Sequence, residues 1–215
     1  GHPLLENKEQ SRIDINQILG KNNALISVFA GSRESEIKLL MPILLDFIKL
    51  MKQKYSDMTY VFHSTKNFSQ LQQSLIKEKN LSNCEVISDD KIKSHILQKS
   101  IFAVTKSGTV SLEISNAKIP SIVFYKMGYI NFLIVKSLVK TKYANIINFA
   151  ANEEIIPELL QSKCNAKNIF DHVDSFLENP DKINKQVEKV QSILNKLKTD
   201  KPSSELASLA LDKFL

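Results

Sequence analysis

The residues best suited to bind an anion lie in two short glycine turns. The first loop is Gly31, Ser32 and Arg33, and it follows an apolar run at residues 24–30. It opens a segment with helical spacing, so backbone N–H groups of the first helical turn would face outward, where they can hold an anion. Arg33 adds a planar guanidinium that matches two phosphate oxygens at once. The first loop is therefore predicted to be a phosphate loop.

The second loop has the same construction. It is Ser107, Gly108 and Thr109, it follows the short run 101–105, and it also opens a helical segment. Glu113 stands one helical turn beyond Thr109, where its carboxylate could accept hydrogen bonds from hydroxyl groups. The chain has only five glycines, and two of them stand in these loops. The pattern predicts a second phosphate loop.

Arginine is rare in this chain. It has 29 basic residues, and only Arg12 and Arg33 are arginines. An arginine at a phosphate-loop position in a lysine-rich chain favours a binding role, because the arginine fork suits a diphosphate better than an ammonium does. Chance placement of one arginine is the alternative.

Size and charge restrict the function classes. The 215 residues are 43% hydrophobic and 24% charged, without repeats or low-complexity stretches, as in a globular domain. The net charge of +6 is compatible with nucleic acid, an anionic membrane surface or a phosphorylated substrate. No basic stripe is interleaved with aromatic residues, so we expect no nucleic-acid partner.

Cysteines and histidines offer no metal-ligand pattern. Cys84 and Cys164 are far apart and lack zinc spacing, which favours reduced thiols in the cytoplasm. The start of the chain has neither a basic region nor a continuous apolar stretch, so no signal peptide is expected. His63, His95 and His172 lack ligand spacing, and structural or solvated roles are expected for them.

Short apolar runs alternate with helical spacing from residue 24 to about 147, which predicts an α/β fold with a Rossmann-like parallel sheet flanked by helices. Strands are expected at 24–30, 59–63, 84–87, 101–105 and 121–125. Helices are expected at 13–19, 34–54, 69–79, 91–99, 110–116, 129–140, 155–161, 166–178, 180–198 and 203–215. Asn179 before Pro180 predicts a helix N-cap with proline in the first helical position. The predicted divisions are a connection with a short helix at 1–22, the domain at 23–198 and a helical tail at 199–215.

Several motifs in order resemble the C-terminal half of the lipid-A-disaccharide synthase family, and the resemblance covers essentially the whole chain. The motifs are Gly31-Ser32-Arg33 with Glu36, Ser107-Gly108-Thr109 with Leu112-Glu113, Pro120, Tyr125, residues 138–143, Asn148 and residues 154–161, and Gly1-His2-Pro3-Leu4 resembles the family's domain junction. Separate motifs in the right order are more specific than any one of them.

The resemblance implies the C-terminal half of a GT-B glycosyltransferase, whose two Rossmann-like halves face a cleft. The family transfers 2,3-diacylglucosamine from UDP to 2,3-diacylglucosamine 1-phosphate, with inversion, and releases UDP. The general base belongs to the N-terminal half, so no catalytic residue is expected in this chain, and the chain alone is expected to be inactive. No metal or cofactor is implied.

The resemblance also implies a set of residues that bind the donor. Arg33 would be the cation, the second loop would supply N–H and hydroxyl donors, Glu113 would accept hydrogen bonds from the ribose, and Asn148 would lie near the nucleotide. The full substrate-binding set is Ser32, Arg33, Ser107, Gly108, Thr109, Glu113 and Asn148.

Other interpretations stay open. A non-catalytic UDP-sugar-binding module, or a relative that transfers or epimerises UDP-N-acetylglucosamine, would share the fold. A dinucleotide-binding dehydrogenase is third, because neither loop has Gly-x-Gly-x-x-Gly spacing.

Residues 125–142 mix apolar residues with lysines, which suits either a core helix or an anionic membrane surface, and hence a peripheral inner-membrane location. The amphipathic tail at 202–215 suits either packing within the chain or exchange in a homodimer.

Overall fold

The computed structural model describes residues 24–128 and 142–197 of the 215-residue chain. The helices expected at 13–19, 129–140 and 203–215 lie outside the described residues, as do the connection at 1–22 and the tail at 199–215. Within the described ranges, no helix is both long and apolar enough to span a bilayer.

Six parallel strands form one sheet in the order β3-β2-β1-β4-β5-β6. The strands are β1 (Leu25–Phe29), β2 (Thr59–His63), β3 (Cys84–Ile87), β4 (Phe102–Lys106), β5 (Ser121–Tyr125) and β6 (Glu158–Leu160). The five strands predicted from sequence are confirmed to within one residue at each end, because strands buried on both faces give short, continuous apolar runs.

Helices cover both faces of the sheet. They are α1 (Glu34–Lys54), α2 (Ser69–Glu78), α3 (Asp90–Lys99), α4 (Val110–Asn116), α5 (Ile146–Ala151), α6 (Ala166–Leu177) and α7 (Pro180–Leu197). Alternate residues of β1 enter opposite layers: Ile26 and Val28 join the core beneath α1, α2 and α6, whereas Leu25 and Phe29 face α3 and α4. The result is a three-layer α/β/α domain, as predicted.

The helix N-cap predicted at Asn179 is confirmed. Its Oδ1 accepts a hydrogen bond from the Lys182 N–H at 3.1 Å, and α7 begins at Pro180. Proline suits the first helical position because its missing N–H would have no partner there.

The helix predicted at 155–161 is wrong. Instead, β6 pairs in parallel with β5, with Val123 opposite Glu158, and α5 lies before it at a position that the sequence reading missed. Pro157 disfavours the helical conformation in the residue before it, and a short apolar run fits a strand as well as a helix. The signal for α5 is Asn145, whose Oδ1 caps the N–H groups of Ile147 and Asn148.

His63 ends β2 and is buried in a chain of hydrogen bonds. Its Nε2 lies 2.8 Å from Ser27 Oγ, which lies 2.7 Å from Ser100 Oγ. Ser100 donates to the Ile96 carbonyl, so Ser27 must donate to Ser100, and His63 must donate through Nε2. Burial keeps the ring neutral, so its Nδ1 is unprotonated, and the ring stacks on Phe29 with 4.2 Å between the ring centres. This arrangement fits the structural role expected for His63.

Burial, with a smaller contribution from the charge of Lys93, lowers the pKa of His63 to about 3. Below the ordinary pKa of histidine, the His63 imidazole binds a proton in the unfolded chain but stays neutral in the folded chain. The free energy of unfolding therefore falls as the pH falls. Between pH 7 and pH 5 we expect His63 to remove about 2 kcal/mol from the free energy of unfolding. Urea unfolding at both pH values should show a smaller loss in His63→Gln than in the wild type.

The matched control is His95→Gln, which removes a partly buried histidine of α3. It should keep the wild-type dependence on pH. If the free energy of unfolding fell equally between pH 7 and pH 5 in the wild type and in His63→Gln, the lowered pKa assigned to His63 would be wrong.

Candidate functional site

The candidate site lies where the strand order of the sheet reverses. From β1 the chain proceeds outward through β2 and β3, and then β4 returns to the other side of β1 before β5 and β6 continue in the opposite direction. Open parallel sheets bind ligands in the crevice at such a switch point, outside the carboxyl ends of the strands. The first loop follows β1 and the second loop follows β4, so both predicted loops are at this crevice.

Gly31 gives the first loop its shape. Its φ is +113°, and a Cβ there would lie 2.6 Å from Glu36 Oε2. That carboxylate oxygen also accepts a hydrogen bond from the Ser32 N–H at 3.2 Å. Only glycine satisfies both the backbone angle and the close approach of the carboxylate. Arg33 is the N-cap residue of α1, is exposed, and forms no ion pair with any residue in the described ranges.

Glu36 also joins the first loop to the strand that carries the second. Its Oε1 lies 2.9 Å from Lys106 Nζ, and the Glu36 and Lys106 side chains are only 14% and 21% exposed. Lys106 Nζ also lies 5.3 Å from the ring centre of Tyr125. Sequence reasoning assigned no role to Glu36 or Lys106. The features that could have indicated a role are the place of Glu36 in the first turn of α1 and the place of Lys106 beside Ser107.

The charge state of Glu36 follows from these contacts. Burial acts to raise the pKa of Glu36, but the hydrogen bond and charge of Lys106, the Ser32 N–H and the charge of Arg33 together outweigh it. The pKa therefore lies below its ordinary value, and Glu36 is ionised at neutral pH.

The second loop is held by its backbone. The Ser107 N–H donates to the Phe124 carbonyl at 3.0 Å, and the Gly108 carbonyl accepts from Ser111. Gly108 and Thr109 are exposed, and among the described residues beyond its chain neighbours no atom lies within 4 Å of a Cβ built on Gly108. The described residues therefore do not require glycine there, and this open space allows a ligand to approach the backbone closely.

Glu113 lies in the first turn of α4 and is partly exposed. The fold thus brings it to the same side of the crevice as Thr109, one helical turn away. It forms no ion pair with the residues that the structure describes. Its carboxylate can accept hydrogen bonds from a bound molecule.

Asn148, which was predicted to lie near the nucleotide, is fully buried in α5. Its Nδ2 donates to the Ile156 carbonyl and to Glu158 Oε1, and its Oδ1 accepts from the Ile155 and Ile156 N–H groups. All four hydrogen-bonding positions of the amide are used within the chain, so none is left for a nucleotide. In this arrangement Asn148 positions the turn between α5 and β6.

Glu158 connects that turn to the second loop. Its carboxylate accepts the Ala144 and Asn145 N–H groups at 2.7 and 3.0 Å. The Ala144 carbonyl in turn accepts the Ser107 hydroxyl at 3.0 Å. The position of Ser107 therefore depends on a buried carboxylate in β6, which sequence reasoning had assigned to a helix.

An apolar surface lies beside the second loop. Ile146 and Phe149 are 48% and 59% exposed, although both are large hydrophobic residues. Together with Tyr143, Ala144 and Asn145 they line a shallow cavity of about 280 Å³. Ala144 belongs both to this cavity and to the hydrogen bond with Ser107, so the two features adjoin.

Among residues 24–128 and 142–197 there is no group of three or more His, Cys, Asp or Glu side chains suited to a metal ion. Cys84 and Cys164 are both free, and burial raises the pKa of each thiol, to about 12 and about 11. Both thiols are therefore protonated at neutral pH and poor nucleophiles.

A sequence profile described as lipid-A-disaccharide synthetase matches residues 1–213. The chain belongs to the lipid-A-disaccharide synthetase family. A lipid-A-disaccharide synthase of Sulfurihydrogenibium sp. is 32% identical over 82% of this chain and 49% of its own length. The one from Rickettsia prowazekii is 32% identical over 100% of this chain and 58% of its own length. This synthetase-family chain thus spans about half the length of the curated relatives it matches.

Solved structures share the fold of this synthetase-family chain. The complex of Staphylococcus aureus MnaA with UDP superimposes with a TM-score of 0.58, at 16% identity over 91% of this chain and 51% of that chain. The C-terminal domain of the group 1 glycosyl transferase LpcC from Francisella tularensis gives a TM-score of 0.53, at 14% identity over 80% of this chain and 85% of that domain. These likenesses confirm the predicted Rossmann-like fold of a GT-B glycosyltransferase half.

The contacts of Asn148 predict the effect of removing it. Asn148→Ala would leave two N–H groups, one carbonyl and one carboxylate oxygen without their buried partner, so we expect the free energy of unfolding to fall by about 2 to 4 kcal/mol. Urea unfolding measures this. The control Asn184→Ala removes an exposed asparagine within α7 and should change stability by less than about 0.5 kcal/mol. Unchanged stability in Asn148→Ala would contradict the positioning role.

Proposed function

We propose that this chain is the donor-binding half of a lipid-A-disaccharide synthase. The whole enzyme would transfer 2,3-diacylglucosamine from UDP to 2,3-diacylglucosamine 1-phosphate, with inversion, giving the disaccharide 1-phosphate and UDP. The observation that carries the proposal is the meeting of both anion-type loops at the switch point of a chain that matches the family over residues 1–213. The family relationship supports the substrate class, and the loops support the diphosphate.

Loss of UDP requires stabilisation of negative charge on the β-phosphate. Positively charged side chains and backbone N–H groups that are already aligned stabilise such charge most effectively. Arg33 is suited to this role because it is exposed at the crevice and has no carboxylate partner in the described ranges. The hydroxyl groups of Ser32 and Thr109 and the backbone N–H groups of Gly108 and Thr109 would add donors.

Glu113 would recognise the nucleoside. A carboxylate can accept hydrogen bonds from two neighbouring hydroxyl groups, which is the chemistry offered by a ribose. From its place one turn beyond the second loop, Glu113 would meet the ribose while the loop meets the diphosphate.

Acyl groups on the donor would have an apolar surface beside the loops. Ile146 and Phe149 expose large side chains next to Ala144, whose carbonyl holds the Ser107 hydroxyl. Burial of such side chains by hydrocarbon is favourable. A plain UDP-sugar offers no group for this surface, whereas an acylated donor does. Lipid substrates also motivate the proposed location, which is cytoplasmic and peripheral on the inner membrane.

The acceptor and the general base would come from an N-terminal half. We therefore propose that this chain binds donor but does not turn it over by itself, and that it needs the acceptor half as its partner. A homodimer is also proposed, in which the tail at 202–215 either exchanges between copies or packs within its own chain.

UDP binding tests the donor site. Calorimetric titration without added metal should show binding at micromolar to millimolar concentrations, and both Arg33→Ala and Glu113→Gln should weaken it about tenfold or more, because each removes a charged hydrogen-bond partner of the ligand.

Matched controls are Lys49→Ala and Glu78→Gln. Lys49 is exposed on α1, 16 positions after Arg33 and hence about 24 Å away along the helix. Glu78 is exposed at the end of α2. Neither change should alter UDP affinity. A folded wild-type chain that does not bind UDP would contradict the proposed donor site.

The second candidate is a relative that acts on UDP-N-acetylglucosamine without an acyl group. The specific observation in its favour is the structural likeness to a UDP-N-acetylglucosamine 2-epimerase from Listeria monocytogenes, with a TM-score of 0.57. Fold likeness at 16% identity does not distinguish the substrates.

Turnover distinguishes the two candidates. With an acceptor half from a full-length relative supplied separately, we expect disaccharide formation from UDP-2,3-diacylglucosamine and none from UDP-N-acetylglucosamine, measured by UDP release and mass spectrometry. Arg33→Ala should reduce this turnover and Lys49→Ala should not. Turnover of only the unacylated donor would favour the second candidate.

A further inference from the structure

The ion pair between Glu36 and Lys106 connects the two sides of the crevice. Glu36 belongs to the first turn of α1, and Lys106 is the last residue of β4, directly before Ser107. Seventy positions separate them in sequence, yet Oε1 and Nζ are 2.9 Å apart. The same Glu36 carboxylate accepts the Ser32 N–H. One carboxylate therefore touches both the first loop and the residue directly before the second.

The negative charge of the Glu36 carboxylate opposes the binding of an anion at the proposed donor site. An ionised Glu36 beside the first loop would repel a diphosphate, and charges a few ångströms apart at a protein surface interact by several kcal/mol. Lys106 counters this repulsion, because its ammonium group lies directly on the carboxylate and both are mostly buried.

Lys106 is itself held in place. Its Nζ lies 5.3 Å from the ring centre of Tyr125 at the end of β5, in addition to its contact with Glu36. Its backbone is fixed in the sheet by the pairing of Lys106 with Phe124. The ammonium group is therefore aimed at Glu36 from a rigid strand rather than from a flexible surface position.

We infer that the Glu36–Lys106 ion pair positions the two loops for a diphosphate, with Glu36 orienting the Ser32 backbone and Lys106 cancelling the charge of Glu36. Both are positioning residues that act through the loops, and Arg33 is left as the cation that meets the ligand. The inference rests on the proposed function and adds one dependence to it: tight binding of the diphosphate requires that the negative charge of Glu36 be balanced by Lys106.

The decisive variants are Lys106→Met, Lys106→Arg and the double variant Glu36→Gln with Lys106→Met. Lys106→Met leaves an unpaired carboxylate at the first loop, so we expect UDP affinity to fall about tenfold or more. Lys106→Arg keeps the charge and should restore most of the affinity. The double variant removes both charges and should bind UDP several-fold more tightly than Lys106→Met.

Uridine provides the readout that a merely structural role would not produce. Chemical-shift titrations of the ¹⁵N-labelled chain give dissociation constants for UDP and for uridine, which lacks phosphate. Repulsion by Glu36 should weaken UDP binding in Lys106→Met and leave uridine binding within about twofold. Equal weakening of both ligands would show a general loss of site structure and would overturn the inference.

The control is Lys99→Met. Lys99 is the exposed last residue of α3, before the start of β4, whereas Lys106 ends that strand, so the length of the strand, about 13 Å, lies between them. Its UDP affinity should equal that of the wild type. Wild-type UDP binding with no change in Lys106→Met would overturn the inference and leave the proposed function intact. No UDP binding by the folded wild type would overturn both.

Discussion

The candidate site depends first on the parallel pairing of β1 with β4. Phe29 lies opposite Thr105 in this register, so the two loops, which begin two residues later at Gly31 and Ser107, leave neighbouring strand ends. Because the strand order reverses here, the connections after β1 and β4 lead to opposite sides and form a crevice between them. A shift of one residue in this register would turn every following side chain to the other face and separate Lys106 from Glu36.

Two buried carboxylates then shape the loops above the sheet. Glu36 accepts the Ser32 N–H and pairs with Lys106, whereas Glu158 accepts the N–H groups of Ala144 and Asn145 and the amide of Asn148. Buried carboxylates are stable only when such donors surround them. Each carboxylate therefore enforces one backbone conformation, and the Ser107–Ala144 hydrogen bond joins the second network to the crevice.

The sequence predicted those features that depend on local pattern. The buried strands read as apolar runs, and the glycine turns at Gly31 and Gly108 could be recognised without the fold. The helix expected at 155–161 was wrong because a run of three strand residues takes its conformation from its partner β5, which is distant in sequence. The contacts of Asn148 and of the Glu36–Lys106 pair could not be predicted for the same reason: each residue acts through partners that only the folded sheet brings together.

The local charge at the crevice depends on where individual charged side chains lie and not on the net charge of +6. The first turn of α1 carries Glu34 and Glu36, which suit the positive end of a helix dipole but oppose an incoming anion. Lys38 pairs with Glu34 at 2.6 Å, and Lys106 pairs with Glu36. Because Lys38 and Lys106 are both paired, Arg33 is the cation beside this turn that has no carboxylate partner in the described ranges. The exposed Arg33 guanidinium therefore stays unpaired within the described part of this lysine-rich chain, because the neighbouring charges are already matched, and an unpaired cation is what the proposed diphosphate site requires.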